Sequence, residues 1–385
     1  MIEGILFIAC SVVLGMTTIM AVRFYRASRL FLPRQAAPVL SDTSLPSVTV
    51  CIPARNEMYS LTECLERVIA SSYEKMEIIV LDDASKDKTS TLIKSFAHSG
   101  VRFIESAKLP KGWLGKNHSL ERLLKEASGT YILYLDVDTR IEVDTMTQLV
   151  QRAVSENAAM VSVLPRREDG WRASVVWSPL RYYWELLFHT KQKPAVASSA
   201  WLIHRETLQK EFNGFEQVKQ YVKPESFFAR ALAATSRYRF YIGTPALGVA
   251  YEKKWRSQLA TSTRLLFPLL GNSIPVSIFA ALDLLLFVVP ILTLAGGFVF
   301  GWGVIHIVAS IAVLASTILY SVYTRLVWRR GWLLGALLWP FVAVQEAILV
   351  VVSMIRYKTN SVTWKGRPIE ATDDVSITTS SVVQN

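Results

Sequence analysis

Charge and cysteine are both scarce in this sequence. Charged residues make up 19% of it, against about 25% in an average soluble domain, while 51% are hydrophobic. That balance excludes an ordinary soluble protein along the whole length. The three cysteines, Cys10, Cys51 and Cys64, form no CxxC pair and no metal spacing. Neither a disulfide framework nor a cysteine-held metal centre is expected, and they read as buried small hydrophobes in a reducing compartment. No DNA-binding motif accompanies the net charge of +11, and the basic residues hug apolar segments, so no nucleic-acid partner is expected. Internal repeats and low-complexity tracts are absent as well.

What is present falls into blocks. Residues 2–22 are apolar except for Glu3, about the ~20 residues that span a bilayer. Their cations, Arg23, Arg26, Arg29 and Arg34, follow the apolar run instead of preceding it. That order fits an uncleaved anchor with a cytoplasmic C-terminal end and not a cleaved signal peptide. The expected organisation is an anchor at 1–24, a linker at 25–46 containing Pro33, Pro38 and Pro46, and a catalytic domain at 47–255. An interfacial region at 256–275, transmembrane helices within 276–355 and a basic segment with a polar tail at 356–385 follow. Candidate spans are 276–300, 302–324 and 332–354. Three full crossings would put Arg325, Arg329 and Arg330 on the opposite side from Arg356, Lys358, Lys365 and Arg367. The positive-inside rule opposes that, so one segment is expected to be interfacial or re-entrant.

Within the central block, short apolar runs at 48–52, 78–81, 101–104 and 131–135 read as strands, and 60–71 has helical spacing. Alternating strands and helices predict an α/β domain with a largely parallel sheet, whose ligands bind beyond the C-terminal strand ends. Three clusters fall at such ends. Pro53-Ala54-Arg55-Asn56-Glu57 follows the first strand, Asp82-Asp83-Ala84-Ser85 the second, and Asp136-Val137-Asp138 a third. The chemistry is coherent for a nucleotide diphosphate, a dense anion. A hard divalent cation, Mn²⁺ or Mg²⁺, can bridge its phosphates using only one or two carboxylates. A turn after the third strand lets Asp138 reach the metal while Asp136 faces the nucleotide. Asp82 and Glu57 can accept hydrogen bonds from base or ribose.

These clusters, with Gly112-Trp113-Leu114-Gly115-Lys116, resemble the family 2 glycosyltransferases of the GT-A fold. The likeness is strongest to membrane-bound members that glycosylate terpenoid lipids, the carotenoid (4,4'-diaponeurosporenoate) and hopanoid-associated enzymes. It runs from about residue 47 to Trp364-Lys365-Gly366-Arg367. The resemblance implies a Rossmann-like catalytic domain with membrane helices at both ends, multi-pass in the cell membrane with the domain cytoplasmic. It implies inverting, metal-dependent transfer of one sugar from a nucleotide-sugar, by resemblance a UDP-sugar, to a lipid acceptor that includes carotenoid acids. Nucleotide-sugar binding is assigned to Pro53, Ala54, Arg55, Glu57, Asp82, Asp83, Lys116 and Asp136, and metal binding to Asp138.

The general base is carried over separately. Family members often have an Asp in a Glu-Asp-x-x-Leu-like segment after a Gly-Gly-Phe-like turn. Here Gly214-Phe215 is followed by Lys223-Pro224-Glu225, so Glu225 falls where that Asp is expected and Pro224 replaces its acidic neighbour. A carboxylate in the first turn of a helix is the other reading of Glu225. Processive relatives carry Gln-x-x-Arg-Trp. This chain has Lys254-Trp255-Arg256-Ser257-Gln258, which argues against a polysaccharide synthase. Trp255 and Arg256 read either as ligand contacts or as an interfacial anchor. A non-catalytic scaffold is the third alternative, opposed by the joint presence of Asp82, Asp136, Asp138 and Glu225. The aromatic stretch 171–190 suggests a membrane-facing helix, and Asp283 and Glu346 stand inside apolar segments without an assigned role.

Overall fold

The structure is a computed structural model that describes residues 2–33, 45–168, 178, 180–328 and 330–369. The expected linker residues 34–44, Arg34, Pro38, Trp171, Trp177, Arg329 and the tail from 370 lie outside the described residues.

The chain opens with helix α1 (Ile2–Phe31) and then enters an alternating region. Its elements are β1 (Val48–Ala54), α2 (Leu61–Ile69), β2 (Met76–Asp82), α3 (Thr89–Ser95), β3 (Val101–Glu105), α4 (Gly115–Glu126), β4 (Tyr131–Leu135), β5 (Thr139–Ile141) and α5 (Thr145–Ser155). Then come β6 (Met160–Leu164), β7 (Arg166–Arg167), α6 (Arg181–Leu187), β8 (Ala200–His204), α7 (Glu225–Ala234), β9 (Tyr238–Ile242) and β10 (Val249–Tyr251). The rest is α8 (Trp255–Leu269), α9 (Ile274–Leu286), α10 (Val289–Phe300), α11 (Val304–Val327), α12 (Trp332–Leu337), α13 (Trp339–Lys358) and the hairpin β11 (Thr363–Trp364) and β12 (Arg367–Pro368).

A seven-stranded sheet runs β3-β2-β1-β4-β8-β6-β9. Only β8 pairs antiparallel, with both β4 and β6. The strands are apolar on both faces because both are covered. Val48, Val50 and Ile52 pack with Leu61, Ile93 and Leu149 from α2, α3 and α5. Cys51, one residue out of phase, joins Leu120 and Leu123 of α4 on the other side. All three cysteines are free and buried.

The second core continues into the apolar helices, taking in Met20, Phe24, Tyr320 and Val342. This corrects the expected linker at 25: α1 continues through Phe31. Phe24, Ala27 and Phe31 form a stripe at helical spacing, and all three are buried. Phe31 meets Phe240 edge-on at 4.9 Å and His189 at 4.7 Å. Burying each phenylalanine contributes roughly 1.5–3 kcal/mol. Arg23 donates to the Leu187 carbonyl, so part of the basic cluster ties the anchor to the domain.

Among the described residues three helices, α1, α11 and α13, are long and apolar enough to cross a membrane. The expected span 276–300 is instead the pair α9 and α10, bent by 41° between Leu286 and Val289, with Pro290 at the start of the second helix. The span expected at 332–354 is likewise divided, into α12 and α13. Arg167 bridges Trp328 just beyond α11, while Arg356 and Tyr357 at the end of α13 bond α8. The end of α11 thus meets β7 of the α/β domain, and the end of α13 meets α8. Trp339 reaches Thr317, midway along α11, at 2.9 Å, so α13 begins partway down its neighbour.

Candidate active site

The C-terminal ends of β1, β2 and β4 converge on one edge of the sheet, as their parallel register requires. At the end of β4, Asp136 receives Lys116 Nζ at 2.8 Å. Lys116 is in the first turn of α4, and Leu114 supplies no side-chain cap there. The first amides of the helix thus point towards the same space, favourable for an anion. Burial pushes the Asp136 carboxyl up, but Lys116, with Lys253 and Arg264 behind it, outweighs that and holds it below the usual range. Asp138 pairs with Lys253 at 3.1 Å. That contact follows from β10 pairing antiparallel with β5, which sets Tyr251 opposite Thr139 and bonds Glu252 N to the Asp138 carbonyl.

Glu225 begins α7 and is 1% exposed. The Ser198 hydroxyl donates to its Oε1. Asp136, Asp138, Lys116 and Glu225 all line one cavity of about 960 Å³, open to solvent, with Tyr182, Arg264 and Arg367 among its other walls. The structure thus brings the expected base and the expected metal and phosphate residues together.

The remaining expected nucleotide residues are placed differently. Pro53, Ala54, Arg55, Glu57, Asp82 and Asp83 are not part of the cavity wall. Asp82 accepts from the Ser85 hydroxyl and Asp83 is 2% exposed. Arg55 is buried and donates to the carbonyls of Asp83 and Ala84, where it stabilises the turn. Ala84 itself has φ of +50°, an uncommon left-handed conformation for a side-chain-bearing residue. Glu57 and Asp83 are engaged by the C-terminal hairpin. Lys365 pairs with Glu57, and Arg367 reaches both Asp83 oxygens at 2.7 and 2.9 Å. Burial raises the Glu57 carboxyl above its ordinary value; Lys365 pulls it down only partly, and Asp138 adds to the rise.

The hairpin has a local cause. Lys365 and Gly366 have φ of +45° and +81°, as a two-residue type I′ turn demands. It docks where Gly115 leaves room: a Cβ there would meet Arg367 Nη1 at 2.8 Å and Asp83 Oδ2 at 3.1 Å. Gly115→Ala is therefore expected to push Arg367 off Asp83. Hydrogen exchange of residues 363–369 should rise in the mutant, and unchanged protection would contradict this packing account.

Sequence reasoning missed Lys253, Arg264 and Ser198, while Tyr182 belongs to the aromatic stretch 171–190 singled out above. Lys253 had a signal in following a strand end; Arg264 and Ser198 had none. Trp255 and Arg256 are exposed and outside the cavity wall. Glu346 is fully buried and accepts from Leu180 N at 3.2 Å and Trp184 Nε1 at 3.3 Å, which pins α6 to α13.

Among the described residues no three His, Cys, Asp or Glu side chains form a metal cluster. Asp136 and Asp138 nevertheless supply the oxygen donors that suit a hard cation, which needs few carboxylates when phosphates complete its shell. The donor set fits Mn²⁺ or Mg²⁺.

The comparisons with known proteins agree with this geometry. Residues 49–212 match the model of Glycosyl transferase family 2. The match covers less than half of the chain. The chain is 26% identical over 131 residues to poly-beta-1,6-N-acetyl-D-glucosamine synthase of Staphylococcus aureus, covering 34% of this chain and 31% of the synthase. It is 29% identical over 111 residues to glycosyltransferase GlyA of Streptococcus pneumoniae, covering 29% of this chain and 16% of GlyA. The matched region is thus less than a third of either relative. Among solved structures, the mannosyltransferase PcManGT from Pyrobaculum calidifontis, in complex with GDP-Man and Mn²⁺, superposes with TM-score 0.55 at 17% identity. That match covers 91% of this chain and 98% of PcManGT. The α/β domain has the GT-A fold, with a mixed sheet, and the described residues include helices towards both ends apolar enough to span a membrane.

Proposed function

We propose that this chain transfers a single sugar, with inversion, from a UDP-sugar to a membrane lipid, a terpenoid or carotenoid acid being the acceptor class its sequence resembles. One observation carries the reading. Glu225 shares a cavity with Asp136, Asp138 and Lys116, and that cavity is walled by Tyr182 of α6 and by Thr261 and Leu265 of α8. Helix α8 packs on α13, with Ser353 donating to the Thr263 carbonyl at 2.7 Å. The acceptor side of the pocket is thus built from segments joined to the apolar helices.

Lys116 and the α4 amides would hold the donor diphosphate. Asp138, with Asp136 beside it, would hold Mn²⁺ or Mg²⁺. When bound, such a cation supplies Lewis-acid stabilisation of a departing diphosphate. The Mn²⁺ in the PcManGT complex supports this use of the fold. Where the acceptor is a hydroxyl, Glu225 takes its proton as it attacks, and the Ser198 bond fixes the carboxylate's orientation.

Detergent-solubilised protein incubated with native lipid extract and a panel of nucleotide-sugars tests this reading. The expected product is a lipid carrying one hexose, identified by mass spectrometry. A polymer in its place would favour the processive reading, which the staphylococcal synthase relative supports and the absence of Gln-x-x-Arg-Trp opposes.

The proposal also places the domain in the cytoplasm, where nucleotide-sugars are made, by the arginines at the end of α1. Thr91 is exposed and the native cysteines are buried. A cysteine introduced at Thr91 should escape impermeant maleimide in intact cells and label after lysis. Labelling of intact cells would reverse the topology.

A further inference from the structure

Glu185 of α6 and Lys223, two residues before Glu225, form an ion pair that the chemistry above does not use. The Lys223 ammonium donates to Glu185 Oε1, and the two side chains are 8% and 15% exposed. Charges withdrawn from water to this degree are normally held by one another. The second oxygen of Glu185 accepts from Val196 N at 3.2 Å. Val196 stands two residues before Ser198, whose hydroxyl donates to Glu225. The contacts therefore close a ring. Glu185 grips the segment that carries Glu225 through Lys223, and the segment that carries Ser198 through Val196. The two segments meet again at the bond between Ser198 and Glu225. Both segments are irregular just before α7 and β8, so side-chain contacts such as these set their position.

Helix α6 is itself held from the other side. Glu346 of α13 accepts from Leu180 N and Trp184 Nε1, while Tyr182, one turn before Glu185, lines the catalytic cavity. The helix thus touches the cavity, an apolar helix and both segments of the ring. We propose that Glu185 is the positioning residue for the base. It sets where the Glu225 carboxylate stands, and its charge cancels that of Lys223 beside it. This rests on the reading of Glu225 as the base. It adds a residue outside the cavity wall that governs turnover without touching either substrate. The charged and titratable groups bordering Glu225 are Lys223, Glu185 and Tyr238 of β9. Burial, with Glu185 and Glu225 adding to it, pushes the Tyr238 hydroxyl well above its ordinary value, so it stays neutral. Glu225 also shares the cavity with Lys116, Asp136, Asp138, Lys253, Arg264 and Arg367, none of which the test variants alter.

Two measurements test it. The first is hydrogen exchange of the full chain in detergent and needs no substrate. In Glu185→Ala, residues 195–199 and 223–228 should exchange faster together, by about tenfold, with α4 unchanged. Faster exchange in neither segment, or in one alone, would overturn the proposal. If α4 loosens as well, the second measurement decides, with variants that keep the side-chain size. It is the pH dependence of kcat/KM with the donor and lipid found by the extract screen. Glu185→Gln leaves the Lys223 charge uncancelled, which favours the ionised Glu225, so the acidic limb should move down by about one pH unit. Lys223→Met leaves the Glu185 charge uncancelled and should move the limb up by about as much. The double variant should return it to the wild-type position. In either single variant kcat should fall about tenfold with the nucleotide-sugar KM unchanged. Loosened packing alone would not send the limb in opposite directions. Superposable profiles for the wild type and both single variants would overturn the proposal. An acidic limb that survives in Glu225→Gln would instead remove Glu225 as the base, and the exchange experiment then still judges the ring.

Discussion

Glu225→Gln is expected to bind the nucleotide-sugar as the wild type does and to turn over a hydroxyl acceptor about 10²–10⁴-fold more slowly. The amide keeps the size of the side chain and can still bond the Ser198 hydroxyl. What it loses is the capacity to take a proton. An alcohol is un-ionised at neutral pH and must shed its proton as it attacks the anomeric carbon, so the mutant's defect belongs in kcat. A carboxylic acid acceptor reverses the expectation. Free carboxyls titrate near pH 4, so such a nucleophile arrives ionised and needs no base. An ionised Glu225 would then repel it, and the glutamine variant should keep substantial activity. Steady-state kinetics of the mutant on the acceptor found in the lipid screen decides. Near-wild-type turnover of an alcohol would return Glu225 to the role of an N-terminal helix carboxylate.

The parts of this site that could be read from sequence share a physical cause. Asp82 ends β2, and Asp136 and Asp138 come directly after the wholly buried β4; apolar runs of this kind announce their own ends. The bounds expected for β4 match the observed Tyr131–Leu135. Glu225 was singled out through resemblance, and it begins α7. What escaped was made by distant pairing. Lys253 reaches Asp138 only because β10 lies against β5. Arg367 reaches Asp83 across 284 residues of sequence, a contact that no local pattern around Asp83 announces. The extension of α1 was obscured differently. Arg23, Arg26 and Arg29 interrupt the apolar run, and only the spacing of Phe24, Ala27 and Phe31 betrays a helix that continues into the domain. The bend between α9 and α10 falls at apolar residues just before Pro290, with no charge to mark the break, so by composition 276–300 reads as one span.

Asp138→Ala is expected to abolish most transfer, on the order of 10²–10³-fold, the usual cost of removing one electrostatic contact to a developing charge. The loss should be specific in kind. With Asp138 present, Mn²⁺ is expected to tighten nucleoside diphosphate binding, because the carboxylate gives the cation an anchor beside the phosphates. With alanine there, that gain should vanish, leaving the metal-independent affinity supplied by Lys116 and the first amides of α4. Lys253 sharpens the contrast. In the structure its ammonium neutralises Asp138 at 3.1 Å, so metal and lysine compete for one carboxylate, and the mutation frees Lys253 to meet the phosphates directly. Metal-free binding of the diphosphate should therefore be kept or slightly strengthened in the mutant while metal-dependent binding is lost. Calorimetric titration of UDP with and without Mn²⁺, on wild-type and mutant protein, measures both. A mutant that still gains affinity from Mn²⁺ would show that the cation is anchored elsewhere, and would remove Asp138 from the site.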